Sequence, residues 1–277
     1  MTDLPSLLSA ADGLSGDDDG DPQSLALLLR NGSSLGGARP KAHVLDTNGR
    51  IAIAKFPSPS DEWNVMAWEK TALDLAALAG ISVPDNQLVS IAGRDVLIVD
   101  RFDRLADGRR RGYQSAMTAL ERTDGELGSY LELAELIEER SRAATSELQQ
   151  LFRRIAFSIL ISNTDDHLRN HAFVHVTSDI WELSPAFDLN PAPQHGPRHL
   201  STAIDGDTLA DIDALLATAA LYRLRDDAAL QVLREVRSAV NTWREVATRN
   251  GLTRSACSKM ESAFDSPAAQ RTAELLT

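Results

Sequence analysis

A single cysteine, Cys257, excludes a disulfide framework and a multi-thiolate zinc site. It falls in a helical C-terminal stretch and reads as an inert, half-buried thiol. No apolar run approaches the roughly 20 residues that span a membrane. The start, MTDLPSLLSAADGLSGDDDGD, is acidic and lacks the basic opening of a secretory signal, so a cytoplasmic protein is expected. Positive charge is in deficit: 28 Lys and Arg against 40 Asp and Glu leave a net charge of −12. That balance argues against nucleic-acid or membrane binding by this chain alone and suits a basic protein partner. Lysine is the scarcest cation, present only as Lys41, Lys55, Lys70 and Lys259, so each is a more informative choice than an arginine. No GxxxxGK[ST] run occurs, which argues against a P-loop NTPase.

What is present is a chain of 277 residues, 43% apolar, long enough for two lobes with real cores. Residues 1–30 read as an N-terminal extension, partly disordered apart from the apolar LPSLLSAA and a helical turn or two at 23–30. A glycine-rich stretch, NGSSLGGARPK (31–41), precedes two extended segments, AHVLD and RIAIAKF, joined at TNG as a hairpin. SPSDEWNVMAWEKTALDLAALAG (58–80) reads as a helix capped by Ser60 or Asp61 and stopped by Gly80. QLVSIAG and DVLIVDRFDR form another strand pair, and 104–128 reads as loop. Apolar residues at 148, 151, 152, 155, 156, 159 and 160 predict a strongly amphipathic helix. Short strands follow at HAFVHV and DIWEL, then helices near 206–220, 224–250 and 253–275. The layout is α+β: a β-rich N-lobe (31–103) and an all-helical C-lobe (104–277), with a hinge near Asp100–Arg104.

The segment LISNTDDHLRNHAF (160–173) crowds acids, amides and histidines where an apolar helix ends. Asp165 and Asn170 are five apart, the spacing of a phosphotransferase loop in which the Asp orients the attacking hydroxyl and the Asn helps hold magnesium. By itself this spacing also fits a polar helix cap. Asp188, eighteen residues on in ELSPAFDLNP, supplies the second carboxylate that such a metal site needs. Upstream, Lys55 shares a strand face with Ile51 and Ile53 and requires a partner, for which Glu69 on the next helix is suited. GSSLGGA offers backbone N–H groups to phosphates, and VDRFDR can meet adenine through its backbone, with Phe102 packing on the ring. A competing metal reading rests on His167, His171 and His175, spaced four apart, with Asp165 and Asp166. HAFVHV alternates like a strand, which counts against stacking those rings on a helix. His195 and His199 read as ordinary surface residues.

Taken in order, these motifs resemble the HipA-family serine/threonine kinases, toxins of bacterial toxin–antitoxin modules, from about residue 31 to 250. The resemblance implies a two-lobed protein-kinase-like fold using ATP and Mg2+ to phosphorylate a protein. Lys55, Glu69, Asp100, Phe102, Ser34, Gly36, Gly37 and His167 would serve the nucleotide, Asp165 catalysis, and Asn170 and Asp188 the metal. Asp166 and His167 would also support the loop. Ser34, or the adjacent Ser33, is implied as an autophosphorylation site whose added charge would repel ATP. Aminoacyl-tRNA synthetases are the substrates of known members, and an antitoxin with a helix-turn-helix domain is the implied partner. Longer members carry an N-terminal subdomain that contacts the antitoxin. With only residues 1–30 before the glycine loop, the expectation is that this subdomain is missing or supplied by a separate small N-lobe-like protein. Rival readings are a small-molecule phosphotransferase and a non-catalytic kinase-like binding module.

Overall fold

The computed structural model describes residues 4–14, 39–45, 49–105 and 107–277. The turns at 23–30 and the glycine loop with Ser33, Ser34, Gly36 and Gly37 lie outside the described residues. The chain divides into two compact units: one holds the described residues up to Lys70 together with Pro84–Arg109, the other Thr71–Val83 and Arg110–Thr277.

The first unit is built on a four-stranded antiparallel sheet of β1 (Lys41–Leu45), β2 (Ile51–Lys55), β3 (Asn86–Ile91) and β4 (Arg94–Asp100), in the order β1-β2-β4-β3. The pleat sends alternate residues of β2 to opposite faces. Ala52 and Ala54 turn to one face with Ala42, Val96 and Ile98, all buried. Onto them packs α1 (Leu4–Leu14), the helix formed by LPSLLSAA and its extension, through Leu7, Leu8, Ala10 and Ala11. Three sheet alanines offer no bulk, which lets the helix approach closely. A bidentate bond from Arg94 to Asp12, both arms 2.6 Å, ties α1 to β4. Ile51, Ile53 and Lys55 occupy the opposite face, as the strand period predicts.

The helix α2 runs Val65–Leu78, later than the sequence suggested. Asn64 is its cap, accepting from Ala67 N at 3.1 Å. Asp61 instead closes a turn on Ser58 N and binds Arg39. Gly80, at φ 74, ends α2 in the left-handed region, with Ile81 N bonding back to Ala76 O.

The second unit is mostly helical, though not wholly. The span read as loop at 104–128 contains β5 (Tyr113–Ser115) and the single turn α3 (Ala116–Ala119), and β6 (Gly128–Ser129) follows. Then come α4 (Tyr130–Arg140), opened by a Ser129–Glu132 capping box, and α5 (Ala144–Leu160). All seven stripe residues of α5 are buried. Each buried Leu, Ile or Phe of the stripe contributes about 1.5–3 kcal/mol, so the stripe makes α5 the spine of the unit, packed on α4 and later helices. The strands β7 (Ala172–Thr177) and β8 (Ile180–Leu183) match HAFVHV and DIWEL and join β5 in a sheet ordered β5-β7-β8. A two-residue strand, β9 (Thr202–Ala203), pairs parallel with β6. The C-terminal helices are shorter than their patterns: α6 (Ile212–Ala217), α7 (Asp226–Val240), α8 (Trp243–Arg249), α9 (Arg254–Phe264) and α10 (Pro267–Leu275). The long pattern at 224–250 breaks at Asn241–Thr242. The pattern at 253–275 breaks where Ser266 caps a new helix with Pro267 at its first turn. Cys257 lies buried in α9, which pushes its thiol pKa up.

Among the described residues no helix is long and apolar enough to cross a membrane.

Candidate active site

In the first unit β2 delivers Lys55 to the face opposite the α1 core. Its Nζ donates to Glu69 Oε1 of α2 at 2.5 Å, and Glu69 is only 1% exposed. The pair anticipated from the sequence is therefore formed and buried. A buried carboxylate without its cation would be strongly unfavourable, so Glu69 fixes where the ammonium sits. Asp100 ends β4; its carboxylate meets Arg50 at 2.6 Å and its N–H donates to Asp85 O at 2.8 Å, so that amide is not open to a base. Phe102 is half-buried in the turn that follows. Beside it Asp103 accepts both arms of Arg101, at 2.7 and 2.5 Å. Burial pushes the Asp103 carboxyl up, but Arg101 and Arg104 outweigh it and hold it below the usual carboxylate range.

In the second unit the chain leaves α5 at Ser162, in the left-handed region at φ 54, and passes Asn163, Thr164, Asp165 and Asp166 before a 3-10 turn at Leu168–Asn170. Asp165 is exposed. Its carbonyl accepts Asn170 Nδ2 at 2.9 Å, so one bond closes the loop over the Asp-x4-Asn spacing. That bond commits the amide nitrogen and leaves Asn170 Oδ1 as an acceptor. His167 Nδ1 is buried without a hydrogen-bond partner.

Asp166, the neighbour of Asp165, has the opposite fate. It is 2% exposed and accepts from Tyr130 Oη at 2.7 Å and Ser158 Oγ at 3.0 Å, while His171 Nε2 lies 2.9 Å from its other oxygen. Burial pushes its carboxyl up, yet His171 and the two hydroxyls prevail and its pKa falls below the usual range. Burial and Asp166 together push Tyr130 well above its ordinary value. Arg154, also buried, donates to Ser184 O at 2.6 Å, and burial pulls its pKa down to about 10 against the pull of Asp166 and Glu147.

Asp188, half-buried, occupies the left-handed region at φ 59, a conformation that a non-glycine residue holds only when its surroundings impose it. Asn163, fully buried, accepts Asn190 N at 3.1 Å, and Asn190 Nδ2 lies 3.4 Å from Asp188 Oδ1. Asn163 thereby ties the Asp165 loop to the Asp188 loop. The donor set of Asn170 Oδ1 and the Asp188 carboxylate is all oxygen, which fits magnesium. His171 and His175 are placed otherwise than on one helix face: His171 is drawn into the core by Asp166, and His175 points from β7 against Trp181. Among the described residues no group of three His, Cys, Asp or Glu side chains could hold a metal ion.

Sequence reading missed Asn163, Arg154, Tyr130 and Thr202, whose hydroxyl donates to Asp166 O at 2.7 Å. Tyr130 and Thr202 each lie 36 residues from Asp166 in the chain, and Asn163, though inside the 160–173 segment, has no spacing that marks it.

The HipA-like C-terminal domain family model matches residues 33–243. A Haemophilus influenzae protein named "Putative kinase" is 25% identical over 189 residues, 60% of this chain and 55% of that protein. "Putative kinase Y4dM" of Sinorhizobium fredii is 26% identical over 157 residues, 50% and 36% of the two chains. The chain thus spans about half the length, or less, of these curated relatives. Among solved structures, the HipA chain of the Shewanella oneidensis complex of HipA, HipB and operator DNA aligns with TM-score 0.69 at 18% identity, covering 88% of this chain and 66% of that one. The Helicobacter pylori proinflammatory kinase CtkA aligns with TM-score 0.62 at 14% identity, covering 87% and 90%. At such identities the structural likeness carries the fold, which is kinase-like. With the family model covering most of its length, the chain belongs to the HipA-like C-terminal domain family.

Proposed function

We propose that the chain is an ATP- and magnesium-dependent protein serine/threonine kinase, the toxin of a toxin–antitoxin module. The observation that carries this reading is the closed Asp165–Asn170 loop, which leaves one carboxylate exposed and one amide oxygen uncommitted. Asp165 orients the attacking hydroxyl and receives its proton as the oxygen bonds to the γ-phosphorus and ADP leaves. Lys55, held by Glu69, grips the α- and β-phosphates. Asn170 and Asp188 are the residues that would hold magnesium, whose charge offsets that developing on the phosphates. His167 Nδ1, buried and without a hydrogen-bond partner among the described residues, would have to turn outward to reach the nucleotide.

The partner is an antitoxin with a helix-turn-helix domain, the substrate is a cellular protein of which an aminoacyl-tRNA synthetase is the first candidate to test, and phosphorylation of Ser34 or Ser33 switches the enzyme off. The Shewanella neighbour, solved together with HipB and operator DNA, supports the antitoxin assignment.

The test is incubation with a cell lysate and γ-labelled ATP, wild type against Asp165→Asn. Label should pass to a protein with wild type and fall by at least about 100-fold in the folded variant. Equal labelling by the variant overturns the mechanism. Label found only on small molecules makes the chain a small-molecule phosphotransferase, and absence of ATP–magnesium binding in calorimetry makes it a binding module.

A further inference from the structure

Arg198 is a buried cation outside the set of Lys55, Glu69, Asp165, Asn170 and Asp188. It is 5% exposed, and among the described residues its four hydrogen bonds reach no carboxylate: Nε donates to Ser162 Oγ (2.8 Å), Nη1 to Gly196 O (2.8 Å), and Nη2 to Gln194 O (2.9 Å) and Ser262 O (2.6 Å). Burying an unpaired guanidinium is costly, and it is tolerated where the rigid fork satisfies several acceptors at once.

Two of those contacts explain where it sits. Ser262 O and Ala263 O are among the last carbonyls of α9, which no intrahelical N–H reaches and which carry the negative end of the helix dipole. Arg198 meets the first directly. It meets the second through Ser162, whose hydroxyl accepts from Arg198 and donates to Ala263 O at 2.7 Å. Ser162 is also the left-handed residue that turns the chain out of α5, three positions before Asp165. The segment 192–202 closes over the same loop: Ala192 N bonds Ser162 O (3.2 Å), Ser201 N and Oγ bond Thr164 O (3.0 and 2.9 Å), and Thr202 Oγ1 bonds Asp166 O. The end of α9 lies past residue 243, where the family match stops.

We propose that Arg198 is a positioning residue for phosphoryl transfer, latching the Ser162 end of the catalytic loop to the C-terminus of α9 so that Asp165 is presented in one fixed place. The proposal rests on the kinase reading above. A lysine cannot replace it, because one ammonium does not span Ser162, two loop carbonyls and a helix end.

The experiment uses the full chain with Arg198→Met, which keeps the apolar stem and removes the fork. The kcat for phosphoryl transfer should fall by between about 10- and 100-fold, the range that a small misplacement of catalytic groups produces, with KM for ATP unchanged. Amide exchange over 161–167 should quicken while α5 stays protected. A folded variant with wild-type kcat and wild-type loop exchange overturns the latch. So does a lower Tm with kcat per folded molecule unchanged, the mark of a purely structural role. If Arg198→Met does not accumulate in folded form, Ser162→Ala removes the relay hydroxyl, leaves the three carbonyl bonds, and is decided by the same two readouts. A wild-type chain that transfers no phosphate sinks the kinase reading rather than the latch, which loop exchange still upholds or overturns.

Discussion

A carboxylate sealed in a protein interior keeps its charge only if something beside it favours the charged form, and Asp166 has three such neighbours in Tyr130, Ser158 and His171. Its pKa is depressed in the folded chain, so the sign of its contribution follows from linkage. The stabilisation is fully present above the unfolded value of about 4 and fades as pH falls through it toward the lower folded value. Asp166→Asn keeps an acceptor for the two hydroxyls but leaves Arg154 and His171 without the charge. Denaturant unfolding should show the variant less stable by about 1–3 kcal/mol at pH 7, with the gap narrowing below about pH 4. A gap constant from pH 7 to pH 3 would show that the charge of Asp166 contributes nothing. Asp165 and Asp166 are indistinguishable as letters, and only the fold assigns one to solvent and the other to the core. That is why the sequence could nominate Asp165 by its spacing to Asn170 but could say of Asp166 only that it supports the loop.

At the scale of elements, the Leu168–Asn170 turn is wedged in place by a residue that has no side chain. Gly128 of β6 is buried, and a Cβ there would overlap the Leu168 side chain, itself 3% exposed, at the start of the Leu168–Asn170 turn. Gly128→Ala should therefore cost about 1–3 kcal/mol by overpacking. By displacing the turn it should also raise the magnesium concentration for half-maximal phosphoryl transfer. Adding Leu168→Ala makes room, so the double variant should lose less stability than the two single losses summed; strict additivity would rule out the contact. Such a wedge is invisible in sequence, since Gly128 closes the TDGELG stretch and reads as one more loop glycine. What could be read were features with a local period. The α5 stripe, the Lys55 face of β2 and the strands at 172–177 and 180–183 all follow from spacing alone. The α2 cap was misplaced because Ser60, Asp61 and Asn64 are all competent caps, and tertiary demand on Asp61 from Arg39 decides among them. The C-terminal helices ran together in the pattern because an apolar stripe persists across the breaks at 241–242 and 265–266.

For the molecule as a whole, the governing quantity is charge. The 40 acids against 28 bases set a repulsive field toward any polyanion, which disfavours contact with DNA by this chain. In a toxin–antitoxin assembly the antitoxin would make that contact, and an acidic kinase would suit a basic partner surface. The isolated protein should then fail to retard random-sequence duplex DNA in a gel at about 0.15 M salt, and lowering the salt should not rescue binding, because no counterions are released when no phosphates are contacted. Titration of salt makes the test quantitative, since each phosphate neutralised adds about −0.9 to the slope of log affinity against log salt. A slope near zero agrees with an acidic chain that depends on its partner. A steep negative slope would place a basic groove on this chain and assign it DNA recognition of its own.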